Sequence, residues 1–164
     1  MKRLLLFISF TLLAASVLQA QQTDSLCGAR IEKMSRVISN DSMKIFTNKC
    51  KIPRKLKRAL KKELKKQELW DFWECGFLRF ANPGAPYRST DVVINPFLTN
   101  RQLVFGGKMK GYSFIVYYKG GRGKSLILAF FDSKTSEITL FYPSRVHDYT
   151  ELKQALSDGK VECF

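Results

Sequence analysis

The sequence predicts an α+β domain: two N-terminal helices, a five-stranded antiparallel meander sheet and a C-terminal helix. Three observations carry that reading. Before Trp70 the apolar residues recur at the three-to-four spacing of amphipathic helices; from Tyr87 onward they gather into short β-rich runs divided by turn residues; and the last stretch opens and closes with helix caps.

The first helix is expected over residues 24–38, where Ile31, Met34, Val37 and Ile38 share a face and Asp24 or Ser25 can cap the start. Asn40-Asp41-Ser42 breaks it. The second is the clearest: Pro53 suits a first turn, Ile52, Leu56, Leu60 and Leu64 form one stripe, and the pattern runs on past Trp70 and Trp73 to an end near Cys75-Gly76. Asn82-Pro83-Gly84-Ala85-Pro86 reads as the loop that separates the helical half from the strands.

Strands are expected over residues 89–94, 102–105, 112–118, 126–131 and 137–142, with turns at Asn95-Pro96, Gly106-Gly107, Gly120-Gly121 and Asp132-Ser133. Connections this short imply antiparallel neighbours. The third and fourth of these runs are apolar at nearly every position. They therefore belong at the centre of a sheet covered on both faces, or covered on one and completed by a partner. The final helix starts at Asp148, which has capping-box spacing to Glu151; Tyr149, Leu152, Ala155 and Leu156 give its stripe, and Gly159 closes it.

Residues 1–20 carry Lys2 and Arg3, an apolar run from Leu4 to Leu13, and small residues ending at Ala20, the order of a secretory signal peptide. The run is shorter than the roughly 20 apolar residues a membrane-crossing helix needs and lacks a basic flank on its far side. The expectation is a cleaved leader, 1–20, followed by a single domain, 21–164, in a secreted or periplasmic protein. Cleavage would remove twenty residues and two cations, taking the chain from 164 residues and a charge of +14 to 144 residues and +12. Cys27 follows Asp24-Ser25-Leu26, which lacks the small residue that lipid attachment requires. With 13 Phe, 6 Tyr and 2 Trp, such a domain can offset its chain entropy without a metal or cofactor. The composition excludes a disordered tail, a collagen, a disulfide-dense miniprotein and a multidomain enzyme.

Four cysteines, Cys27, Cys50, Cys75 and Cys163, suggest two disulfides in an oxidising compartment. Three pairings are open. Cys27–Cys50 with Cys75–Cys163 is favoured, because it joins the first helix to the start of the second and ties the tail to the middle; free buried thiols are the alternative. No CxxC pair or Cys/His spacing points to zinc, so no metal and no cofactor are expected.

The most unusual stretch is Lys49 to Lys66, with ten basic residues and one acid, Glu63. At about 100° per residue, Arg54, Lys55, Lys57, Arg58, Lys61, Lys62 and Lys65 lie away from the leucine stripe and form the candidate anion-binding face. Like charges at i,i+4 repel by a few tenths of a kcal/mol per pair. The plainer reading is a core-packed helix with a soluble outer face. Gly120-Gly121-Arg122-Gly123-Lys124-Ser125 ends like a phosphate loop, but Tyr118 stands where the leading glycine is required and a β run follows instead of a helix. The aromatic run from Trp70 to Phe80 reads as a core hinge between helix and sheet.

His147 is the only imidazole, so nucleophilic catalysis would have to run through it, with Cys75 as the drawable partner. The carboxylates Asp71, Glu74, Asp91, Asp132 and Glu137 are scattered. The function expected is a small exported, non-enzymatic module whose basic surface engages lipid headgroups, a polyanion or an acidic protein. Export makes intracellular nucleic acid the weakest of the anionic partners. The alternatives are a secreted hydrolase using Cys75 with His147, or the scattered carboxylates, and a subunit whose two-sided sheet is completed by another chain.

Overall fold

The computed structural model describes residues 25–40, 42–67, 78–90, 95, 97–121 and 123–164. In chain order these form α1 (residues 25–38), β1 (Lys44–Phe46), a 3-10 turn (Lys49–Lys51), α2 (Arg54–Lys66), β2 (Arg101–Met109), β3 (Tyr112–Lys119), β4 (Ser125–Asp132), β5 (Glu137–Pro143), α3 (Tyr149–Ser157) and β6 (Val161–Cys163). The class is α+β, as expected. The strands make one sheet in the order β1-β2-β3-β4-β5-β6, every neighbour antiparallel.

Side chains of a strand alternate between faces, and here both faces are apolar. Phe114, Val116, Leu128, Phe130 and Phe141 pack on one side with Met34 and Ile38 of α1 and Leu152, Ala155 and Leu156 of α3. Ile115, Tyr117, Ile127, Ala129, Phe131 and Leu140 pack on the other with Leu56, Leu60 and Leu64 of α2. The result is a sheet between two helical layers. The cap of α3 forms as the spacing demands: Asp148 Oδ1 accepts from Glu151 N at 2.8 Å, while the Glu151 carboxylate takes the His147 N–H. At the other end Gly159 has φ +67° and Lys160 N donates to Ala155 O, a glycine-closed helix terminus.

Several expectations change. Among the described residues the sheet has six strands rather than five: four of the expected strands form, and β1 and β6 each add three residues at an edge. Gly106-Gly107 is no turn; it lies inside β2, opposite Phe46 and Ile45 on one side and Ile115 and Phe114 on the other. A Cβ at Gly106 would stand 2.5 Å from the Phe46 ring, and one at Gly107 would stand 2.3 Å from the Phe114 ring, so the glycines make room for aromatics. The expected 89–94 strand is absent at Ser89 and Thr90, and residues 91–94 lie outside the described set. The second helix ends at Lys66, not near Cys75-Gly76: Gln67 caps it, and Trp70, Trp73 and Cys75 lie outside the described residues. From the aromatic run, Phe80 is buried and packs edge-to-face on Tyr117 at 5.4 Å.

Both favoured disulfides are overturned, because Cys27 pairs with Cys163. The start of α1 and the end of β6 sit at the same margin of the sheet, with Cα atoms 6.0 Å apart. Cys50, in the 3-10 turn that leads into α2 on the opposite face, is an exposed free thiol. The bond links residues 136 apart, and chain-entropy reasoning assigns closures of this size about 2–5 kcal/mol. Cys163→Ser should lower unfolding stability by that amount in non-reducing denaturant titrations, and peptide mapping should recover a Cys27–Cys163 cross-link.

The glycine-rich loop after β3 has a packing explanation. Gly120 N donates to Asn100 O at 2.8 Å, and a Cβ there would lie 1.9 Å from the Arg88 carbonyl oxygen, whereas Gly123 faces open space. Backbone cannot yield as a flexible side chain can. Gly120→Ala should therefore cost about 1–3 kcal/mol, while Gly123→Ala should stay within about 0.5 kcal/mol of the parent in urea unfolding.

Candidate anion-binding surface

The leucine stripe decides which way α2 presents its charge. Leu56, Leu60 and Leu64 are 0% exposed and Ile52 3%, so the remaining arc of the helix faces outward. All seven predicted cations sit on that arc: Arg54, Lys55, Arg58, Lys62 and Lys65 are exposed, and Lys57 and Lys61 are half-buried along its flank. Glu63, the one acid of the helix, accepts from Gln67 Nε2 at 2.8 Å. Among the described residues, Arg54, Lys55, Lys57, Arg58, Lys62 and Lys66 form no ion pair. The first turn contains no acid. Cations there oppose the helix dipole by about 0.3–1 kcal/mol each, so the N-terminal end of α2 carries unrelieved positive potential.

A hollow lies at each end of this ridge. At the N-terminal end a shallow cavity of about 280 Å³ brings Lys108 of β2 beside Arg54 and Lys55, with Tyr112 and Ser113 in its wall. At the C-terminal end a groove of about 510 Å³ runs between α2 and residues 136–140, where Lys62 and Lys66 meet Arg30 of α1. Lys108 and Arg30 are the members that sequence reasoning missed. No local pattern could have found them, since sheet pairing and the layering of helices place them. Lys66 belonged to the basic run already.

The other candidates scatter. His147 Nδ1 lies 3.3 Å from the Tyr118 hydroxyl, whose ring carries Lys124 Nζ at 3.8 Å from its centroid. No thiol joins that group among the described residues, and Cys75, Asp71, Glu74 and Asp91 lie outside them. Cys50 lines a separate hollow with Lys49, Lys57, Arg79 and Phe97. Among the described residues, no group of three or more His, Cys, Asp or Glu could hold a metal ion, and no helix is long and apolar enough to cross a membrane. No family model matches the chain, and neither the curated proteins nor the solved structures contain a match.

Two buried polar groups have clear electrostatics. Burial pushes the Tyr117 hydroxyl up to about 12, against the pull of the neighbouring Arg101 guanidinium, which is itself fully buried and donates to Asn100 Oδ1 at 3.0 Å. Asp132 and Glu137, remote in pattern, stand opposite each other in the β4–β5 hairpin. Burial alone would raise the Asp132 carboxyl, but Lys33 Nζ at 2.7 Å and the backbone N–H groups of Lys134 and Thr135 outweigh it and hold the group below its usual range. The same contact raises Lys33. This is an ionised structural carboxylate, the reverse of what a general acid needs. A lowered carboxyl stabilises the fold above its unfolded pKa of 3.8, and that contribution is lost as pH falls through the lower folded value. Lys33→Met should cost about 1–2 kcal/mol at pH 7, a figure kept small because half of the Lys33 side chain is in water. The gap to the parent should narrow as pH falls through the lowered folded value of Asp132 and close once that group is neutral in both proteins; denaturant midpoints against pH measure it.

Proposed function

We propose that the protein is a small exported, non-enzymatic binding module that docks on an anionic partner through the outer face of α2. The observation that carries this is the set of exposed and half-exposed cations Arg54, Lys55, Lys57, Arg58 and Lys62, which form no ion pair among the described residues and are kept at a cost to the helix that bears them. The Cys27–Cys163 bond suits an oxidising compartment outside the cytoplasm, and the order of residues 1–20 suits a leader that takes the chain there.

The mode of docking follows from the core. A basic amphipathic helix that binds membranes buries its apolar face among the lipids, and here that face is spent on Ile115, Ile127 and Leu140. The ridge, about 20 Å long for 13 residues, therefore engages its partner by charge from outside and inserts nothing. Such attraction is screened within about 10 Å at 0.1 M salt.

The test uses fluorescein-labelled poly-L-glutamate and fluorescence anisotropy. Affinity should fall at least about tenfold between 50 and 300 mM NaCl. The Arg54→Glu/Arg58→Glu/Lys62→Glu variant should bind at least about thirtyfold more weakly at 50 mM while keeping the parent's unfolding free energy within about 1 kcal/mol. Absence of binding at 50 mM, or a variant that binds as the parent does, overturns the proposal.

A further inference from the structure

We infer that the groove at the C-terminal end of α2 receives an extended acidic segment of a partner protein, which adds to the open edge of β5 as an extra strand. The inference rests on the docking role of α2 and deepens it by naming the chemistry of the partner. It begins with an unequal pairing. β5 has seven residues, but β6 covers only Phe141, Tyr142 and Pro143, through Cys163, Glu162 and Val161. The last bond along this edge runs from Phe164 N to Leu140 O at 3.1 Å.

Backbone groups of a strand point to alternate sides. Because the Leu140 carbonyl faces the β6 side, the N–H and C=O of Ile138 face it too, and no described strand lies there to pair with them. Proteins usually guard such an edge with charge, a bulge or a covering loop. Here the edge forms the floor of the groove of about 510 Å³, which contains Ser136, Ile138, Thr139 and Leu140. Gln67, in the wall, has a buried Oε1 that accepts no hydrogen bond.

The walls select the occupant. Lys62 and Lys66 on α2 stand over one face of the sheet, and Arg30 on α1 stands over the other. A strand laid along β5 sends successive side chains to opposite faces, so its acids would meet two cations on one side and one on the other. Glu63 and Glu137 also line the groove. They disfavour a dense polyanion threaded through it and favour a chain with spaced carboxylates and main-chain donors. Strand addition takes affinity from the main chain and selectivity from the flanking side chains.

The experiment compares two dye-labelled octapeptides of repeating Glu-Glu-Val-Val, a pattern that puts acids on both faces of a strand, on the whole protein: one unmodified, the other N-methylated through its six central residues, which keeps the charge and removes those N–H donors. Poly-L-glutamate serves as the reference. The unmodified peptide should bind at 50 mM NaCl, and N-methylation should weaken it at least about tenfold. Ile138→Pro removes an N–H that no described hydrogen bond uses; it should lose the peptide and retain poly-L-glutamate. Should that variant fail to fold, the N-methylated peptide on the parent protein decides alone. Equal affinity for both peptides, or no peptide binding beside normal poly-L-glutamate binding, overturns strand addition and leaves the role of α2 standing. If poly-L-glutamate does not bind either, both readings fall together.

Discussion

The constraint on which the molecule turns is that β3 and β4 have no polar face. Ile115, Tyr117, Ile127 and Ala129 are as deeply buried as Phe114, Val116 and Leu128 on the opposite side. A sheet of that kind needs a helical layer above and below it, and α2 is the layer on one side. Its leucines must point down, and at 3.6 residues per turn everything between them must point out. The charge of α2 is therefore mounted on a rigid layer rather than on a loop. Little backbone freedom would remain to be lost in the docking proposed for it.

The same constraint sets the limits of the sheet. In β2, Gly106 and Gly107 let the Phe46 and Phe114 rings lie against the backbone, so the edge strand β1 fits although it offers only three residues. The outer margin of β2 is shared: Gly106 to Lys108 pair with β1, and Ala81 bridges Gln102. At the far side β6 is equally short, but among the described residues nothing comparable continues it along residues 137–139. The two margins of one sheet thus differ in how completely their backbone groups are used.

What the sequence made plain was whatever depends on near neighbours. The four-strand meander from Arg101 to Pro143, the stripe of α2, and the cap formed by Asp148 and Glu151 are all written within a few residues of where they act. The failures came where one local signal has two meanings, or where the cause is distant. A glycine pair marks a turn as readily as it marks the close approach of a ring, and Gly106-Gly107 was the second kind. Lys44-Ile45-Phe46 and Val161-Glu162-Cys163 are too short to show a period. The partner of Cys27 is 136 residues away and is set by which helices share a face. The candidate surface divides the same way: seven cations could be read from one helix, but Arg30 and Lys108 join it only through the tertiary arrangement.

The cross-link between Cys27 and Cys163 also determines how the domain would respond to traction. Nearly all of the described chain lies between those two sulfurs, so tension applied beyond them passes through a covalent bond and by-passes every hydrogen-bonded ladder. A body tethered at its extremities in this way can be tugged by a surface or a neighbour without its sheet being unzipped. Once the disulfide is reduced, the short β6 ladder, three residues long, would be the first element to bear the strain.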